Sequence, residues 1–430
     1  MFVFSTLFPA LIIFVLLIYM VIVPLFSTDR TKKFNPLVII GLVIIYYVVI
    51  PFIRRGTVAY GADFSYAEPY MLWASVVYLV SILIGFSVNF KRRKFVKWNN
   101  ALDDLDVKKV AIAIFLIGFV AYFMFNKFSL NVFRVQEYSV FDENASYGHS
   151  AEYLVSLISM FPLALCLMDS ARKEKTWVIA ILVLSFIIYI LIGFRKNLVI
   201  LVLCFAIFHH LYPRVKKIRW QLWVPVALAF YMLMGVMEYS RNYGNGLDIE
   251  KLREAQEGDI NFEASENIGV YVLSSAVIQR YSVSGERIYF EPIANALLMP
   301  IPRAIFPWKP KGTYTRDACI RVNVDISTGA AMITYAEAFI SFGWLGIVLY
   351  GLALGMLSKL FWSNYKRNSF SLGAVLLLAV FDGIIYMIIS RGYLAMAFIT
   401  FMYYIVIPFW IILLMRKIPA FKLNKEIDKT

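Results

Sequence analysis

Apolar residues recur along this chain in unbroken runs, not in the alternation of strands or the narrow stripes of water-soluble helices. Runs near 2–26, 36–53, 71–90, 109–126, 151–168 and 177–194 are followed by others near 197–212, 221–238, 331–355, 371–390 and 392–415. Each approaches the ~20 residues an α-helix needs to cross a ~30 Å hydrocarbon core. The pattern predicts an all-α polytopic membrane protein with about eleven transmembrane helices. Only Arg195 and Lys196 separate the sixth and seventh runs, so a tight turn is expected there. The first run starts almost at Met1 without a basic stretch before it, which predicts a retained helix instead of a cleaved signal.

One segment breaks the rhythm. Residues 239–330 form a connection far longer than ordinary loops. Its first part is rich in Gly, Asn, Asp and Glu and reads as surface, whereas Gly269 to Ser282 is apolar with polar interruptions. This second half of the loop, with its short interfacial helices, is expected to lie flat over the bundle, as apolar helices beside a membrane do. Pro292 is placed to open a short helix that ends before Pro300 and Pro302. The organisation expected is therefore helices one to eight in 1–238, the long loop with short helices in 239–330, helices nine to eleven in 331–415, and a basic tail in 416–430.

Charge orients this ladder. The segments after odd-numbered spans and the C-terminal tail hold 25 of the 42 Lys and Arg, among them Lys91-Arg92-Arg93-Lys94 and Arg416-Lys417. The short connections on the other side hold seven. Basic residues of short loops stay in the cytoplasm, which predicts the N-terminus outside, the C-terminus inside and the long loop extracytoplasmic. Composition agrees with a membrane protein: 61% hydrophobic, 16% charged, mean hydropathy +0.71. Soluble chains carry about 25% charged residues. The net charge of +14 would suggest nucleic acid in a soluble protein, but here the basic loops account for it and suit anionic lipid headgroups. Cys166, Cys204 and Cys319 imply no disulfide framework, and the adjacent His209 and His210 read as a terminal polar pair, not a metal site.

Nucleotide chemistry leaves no trace. Walker A, dinucleotide and nucleophile-elbow motifs are absent. Asp104-Leu105-Asp106 sits in a short cytoplasmic loop and reads as solvated. The informative residues are ionisable groups at or just below the outer interface. Arg195 and Arg391 lie at helix ends, Glu238 and Arg241 close the eighth run at i,i+3 spacing, Glu337 lies in the ninth run and Asp382 about two turns inside the tenth. Such groups cost several kcal/mol to bury unless they pair or line a wet cavity. A shared outward-opening polar cavity accounts for them together; snorkelling and internal salt bridges are the bland alternatives. Arg280 interrupts an apolar helix, and Arg303 lies among Pro300, Pro302, Phe306, Trp308 and Lys309. Arginine's planar fork matches phosphate, and aromatic faces stack on sugars. His149 and Glu152, one helical turn apart, read as a capping pair.

Three stretches carry a family resemblance: Gly193-Phe194-Arg195, the loop from Arg280 through Pro300-Ile301-Pro302-Arg303 to Lys309-Pro310, and Thr334-Tyr335-Ala336-Glu337 through Phe342-Gly343-Trp344. With the topology, they resemble the bacterial oligosaccharide repeat-unit polymerases, the Wzy-type O-antigen polymerase family. The resemblance implies a membrane-embedded glycosyltransferase of GT-C-like architecture in the bacterial inner membrane, working without metal or other cofactor. Donor and acceptor would be undecaprenyl-diphosphate-linked oligosaccharides, transferred en bloc on the outer face; membrane lipids and a chain-length regulator would be partners, and nucleic acid would not. It implies Glu337 as the base, Asp382 as second candidate and Arg280 beside them, with Arg195, Arg241, Arg303, Lys309, Arg391, Tyr335 and Trp308 binding substrate. An O-antigen ligase is the nearest alternative, although residues 239–330 contain no histidine. A flippase for lipid-linked sugars is the other; it requires charges along both leaflets, and the cytoplasmic halves of the runs are nearly free of them.

Overall fold

Proline shapes several of the membrane helices. In the computed structural model, described for residues 2–59, 62–89, 96–125, 156–171, 174–192, 195–213, 241–242, 246–247, 266–298, 301, 306, 308, 314–322 and 331–423, three apolar helices widen into π-turns at Ile18–Ile22, Ile45–Val49 and Met402–Val406. Pro24, Pro51 and Pro408 each follow two residues later. Proline brings no N–H and its ring collides with the carbonyl four residues back, so a wider turn just before it relieves the clash.

Among the described residues seven helices are long and apolar enough to cross a bilayer: Thr6–Leu25, Pro36–Ile53, Ser65–Ser87, Val107–Met124, Trp344–Arg367, Leu372–Ser390 and Leu394–Met415. The fifth, sixth and seventh expected spans are described as the shorter apolar helices Ser156–Ser170, Lys175–Ile190 and Lys196–Leu211. The expected eighth span, 221–238, lies outside the described residues, as does Glu238. Arg241 does not close a helix there: Arg241–Asn242 pairs antiparallel with Gly246–Leu247. A second small hairpin, Val58–Ala59 with Ala62–Asp63, adds strand to an otherwise helical fold.

The ninth span differs most from expectation. The run near 331–355 is two helices, Thr334–Phe342 and Trp344–Arg367, broken at Gly343. Gly343 has φ +64° and ψ −144°, a backbone region essentially reserved for glycine. Together the two helices run from Thr334 to Arg367, ~50 Å of helix for a ~30 Å core, more than one straight crossing needs. Glu337 therefore sits on a short helix ahead of the spanning one.

Chain contacts divide the protein into two units. The first comprises Met1–Arg93, Asn261–Ser363 and Ile385–Ile399. Within it Trp344–Arg367 packs on Ser65–Ser87 at near backbone contact: Gly351 meets the Tyr78 carbonyl, Gly355 that of Ile82, and Gly85 that of Leu352. Small residues permit this approach in the absence of a hydrophobic driving force between membrane helices. Glu266–Ser284 does not lie flat, as its apolar stretch predicts, but is buried nearly all round. It lacks a one-sided stripe, and its polar interruptions are satisfied internally. Ser274 and Ser275 donate to carbonyls one turn back at 2.6 and 2.7 Å, and Asn267 donates to the Tyr46 carbonyl at 3.2 Å. The helix expected at Pro292 is present as Glu291–Leu298.

The second unit comprises Lys94–Ile260, Asn364–Ile384 and Thr400–Thr430. Polar side chains link its helices: Tyr189 to the Ile158 carbonyl at 2.7 Å, Tyr404 to Asn197 at 3.1 Å, and a reciprocal amide pair between Asn99 and Asn364. His209 meets Asp169 at 2.9 Å. The Asp104-Leu105-Asp106 loop holds the start of the tail: Arg416 pairs with Asp104 at 2.6 Å, and the Asp106 amide donates to the Phe421 carbonyl at 2.8 Å. Cys166, Cys204 and Cys319 are free and buried.

Candidate carboxylate site

The short helix Thr334–Phe342 is clamped at both ends by main-chain groups. Before it, the Gly392 amide donates to the Met332 carbonyl at 2.6 Å, and the Ile333 amide donates to Ser274 at 2.9 Å. Thr334 donates to the Ile388 carbonyl. At its far end the amides of Ile288 and Tyr289 donate to the carbonyls of Ile340 and Ser341, each at 3.0 Å. These are carbonyls that a helix terminus leaves without an intrahelical partner. Arg287 closes the same end, its guanidinium against Gly343 and 5.0 Å above the Phe339 ring.

Glu337 points into the interior of this arrangement and is fully buried. One oxygen, Oε1, accepts from the Tyr314 hydroxyl at 2.5 Å and from the Leu394 amide at 2.9 Å. The other, Oε2, is buried with no hydrogen-bond partner among the described residues. An ionised carboxylate has about four acceptor positions, so half its capacity is directed and half is bare. Burial pushes this carboxyl up to about 7, against the opposing pull of the Leu394 amide and the Tyr314 hydroxyl. Burial and the neighbouring Glu337 charge raise Tyr314 in turn, so it remains a donor. The Tyr393 ring lies 5.7 Å from that of Tyr314, and its hydroxyl accepts from Asn295 at 2.8 Å.

The other expected residues distribute unevenly. Arg280 is exposed near the end of Glu266–Ser284, as are Val283 and Ser284. Arg391 is partly buried and pairs with Glu266 at 2.5 Å. Tyr335 is buried, its hydroxyl 2.6 Å from that of Ser75. Trp308 is 83% exposed, edge-on to Phe306. Arg303, Lys309, Gly193, Phe194, His149 and Glu152 lie outside the described residues, as do the side chains of Arg195 and Arg241; Arg195 opens the helix Arg195–Leu211. Asp382 belongs to the second unit, midway along Leu372–Ser390, a helix with 83% of its length buried. Both its oxygens are buried without hydrogen-bond partners among the described residues. Glu337, Arg280 and Arg391 thus share the first unit, and Asp382 and Arg195 fall in the second. Sequence reasoning missed Tyr314, Tyr393, Asn295 and the Leu394 amide; spacing does not reveal partners separated by 23 to 57 residues from the carboxylate.

A polytopic all-α membrane protein with a half-satisfied buried carboxylate and an arginine- and aromatic-bearing segment ahead of a late span has the makings of a membrane-embedded transferase. The model of the family O-antigen polysaccharide polymerase Wzy matches residues 1–422, so this chain belongs to that family. Its activity is repeat-unit polymerisation, the transfer of lipid-linked oligosaccharide into a growing polysaccharide. No curated protein and no solved structure matches the chain.

Proposed function

We propose that Glu337 is the general base of this polymerisation, with Oε2 as the atom that takes the proton. The acceptor sugar hydroxyl attacks the anomeric carbon of the donor's reducing-end sugar. The new glycosidic bond forms as the bond to diphosphate breaks; undecaprenyl diphosphate leaves with the electron pair, and the hydroxyl proton passes to Glu337. The observation that carries this reading is the asymmetry of the carboxylate: Oε1 is fixed by Tyr314 and Leu394, while Oε2 is buried and bare. A base near 7 is poised for proton transfer at neutral pH.

The diphosphate gains charge as it leaves, and guanidinium groups stabilise such charge without a metal ion. Arg280, exposed on the first unit, is the foremost group for this role; Arg195, Arg241, Arg303, Lys309 and Arg391 are further ones, and Trp308 offers a face for a sugar ring. Asp382 is the second candidate for the base. The reaction is placed on the extracytoplasmic face of the bacterial inner membrane, in a chain of eleven spans with its N-terminus outside and 239–330 as the outer loop. Turnover of purified lipid-linked repeat units tests the assignment. Glu337→Gln should abolish polymer at unchanged protein level, and retained turnover would move the base elsewhere. Activity surviving in both Arg280→Ala and Arg195→Ala would remove the arginines from the mechanism.

A further inference from the structure

The segment 288–298 has two unlike faces. Inward, Pro292, Asn295 and Ala296 are buried, and Asn295 donates to the Tyr393 hydroxyl beside Tyr314 and Glu337. Outward, Tyr289 is 59% exposed, Phe290 68% and Leu297 60%, with Ile293 between them. Ile293 and Leu297 are four residues apart and so share one helical face.

Large apolar side chains standing together on a surface mark an interaction site. Here the main chain fixes where that site lies. Ile288 and Tyr289 are hydrogen-bonded to Ile340 and Ser341, just before the Gly343 break, so the patch sits level with the start of Trp344–Arg367. Phe290 and Tyr289 both stand edge-on to Phe342, at 5.1 and 6.1 Å between ring centroids. Trp344–Arg367 is a candidate span ~36 Å long with Trp344 at one end and Lys366 and Arg367 at the other, the usual marks of the two membrane interfaces. Its exposed Trp344 and Leu345 adjoin the patch in sequence through Phe342, and Leu349 and Leu357 continue the exposed apolar surface along the span.

We infer that Tyr289, Phe290, Ile293 and Leu297 form a membrane-interface anchor, with Glu291–Leu298 lying in the headgroup boundary and its exposed face against bilayer lipid. The occupant follows from continuity with the lipid-facing surface of the span and from the mixture of aromatic and aliphatic side chains, which suits the boundary between headgroups and acyl chains. The anchor holds at whichever interface the Trp344 end faces, so it does not depend on the orientation of the chain. It rests on Trp344–Arg367 being a span, and not on Glu337 being the base. One helix then separates the carboxylate cluster from lipid, a thickness of ~10 Å.

Spin labels test this in the full-length protein in phospholipid nanodiscs. Phe290→Cys and Leu297→Cys, with Ile293→Cys as a further position, are labelled with a nitroxide; the buried native thiols do not compete. Ser284→Cys, in the exposed turn, is the water-facing control. The ratio of collisions with oxygen to collisions with a water-soluble nickel chelate should be several-fold higher at 290, 293 and 297 than at 284. A ratio equal to that at 284 would overturn the anchor. So would exclusion of both reagents, which would mean that another part of the protein or a second copy covers the patch. The readout needs no turnover, so loss of activity in Glu337→Gln leaves it unaffected.

Discussion

A carboxylate with one oxygen held and the other bare behaves unlike one that is simply buried. Tyr314 and the Leu394 amide orient Glu337 and favour its charged form, while burial disfavours it. If Oε2 receives the acceptor proton, turnover requires the ionised carboxyl and should rise with pH through about 7. The sign for Tyr314→Phe then follows: removing a donor to the charged form raises the carboxyl further, so the acid limb should move to higher pH. A limb that stays in place would show that Tyr314 only packs. Glu337→Gln should cost ~100-fold or more in turnover, the span of general-base effects, at a yield of folded protein equal to the wild type.

Among the elements, the helix Thr334–Phe342 owes its separate existence to Gly343. Any side chain there is strained by the positive φ and meets the Arg287 guanidinium. Gly343→Ala should destabilise the protein by ~1–3 kcal/mol, the usual cost of such backbone strain, and lower its midpoint in a detergent thermal melt. Gly355→Leu should separate Trp344–Arg367 from Ser65–Ser87, because the added side chain meets the Ile82 carbonyl, and the folded fraction in size-exclusion chromatography should fall. Much at this scale was legible in sequence: the positions of six spans and the proline-opened helix at Glu291–Leu298. Two things were not. An apolar run has no internal mark for where it turns, and the run near 331–355 reads as one span although the backbone breaks at Gly343. A helix apolar all round also reads the same whether it lies on a surface or inside, and Glu266–Ser284 is inside because its serines find carbonyls on their own helix.

At the scale of the whole molecule, basic loops and apolar runs specify a topology that labelling can test. Ser284→Cys should react with a membrane-impermeant thiol reagent added to intact spheroplasts, and Phe370→Cys, 77% exposed beside Lys366 and Arg367, should react only after lysis. The reverse pattern would invert the chain. Of the candidate site, Glu337 was legible as an ionisable group inside an apolar run, although the structure puts it on a short helix ahead of the span. The partners that tune it were not, since they come from three separate stretches that only the fold brings together.

The clamp on the short helix has a further consequence. Ile288, Tyr289, Gly392 and Leu394 all contribute amide hydrogens, and Met332, Ile340 and Ser341 contribute carbonyls. Nearly any amino acid supplies those groups, so the side chains at most of these positions are free to change while the carboxylate keeps its place. Such a frame separates the position of the carboxylate from the identity of the side chains around it. Replacing the exposed side chains along the segment 288–298 should therefore leave Glu337 in place, whereas Ile288→Pro, which removes an amide hydrogen of the clamp, should loosen the end of the short helix.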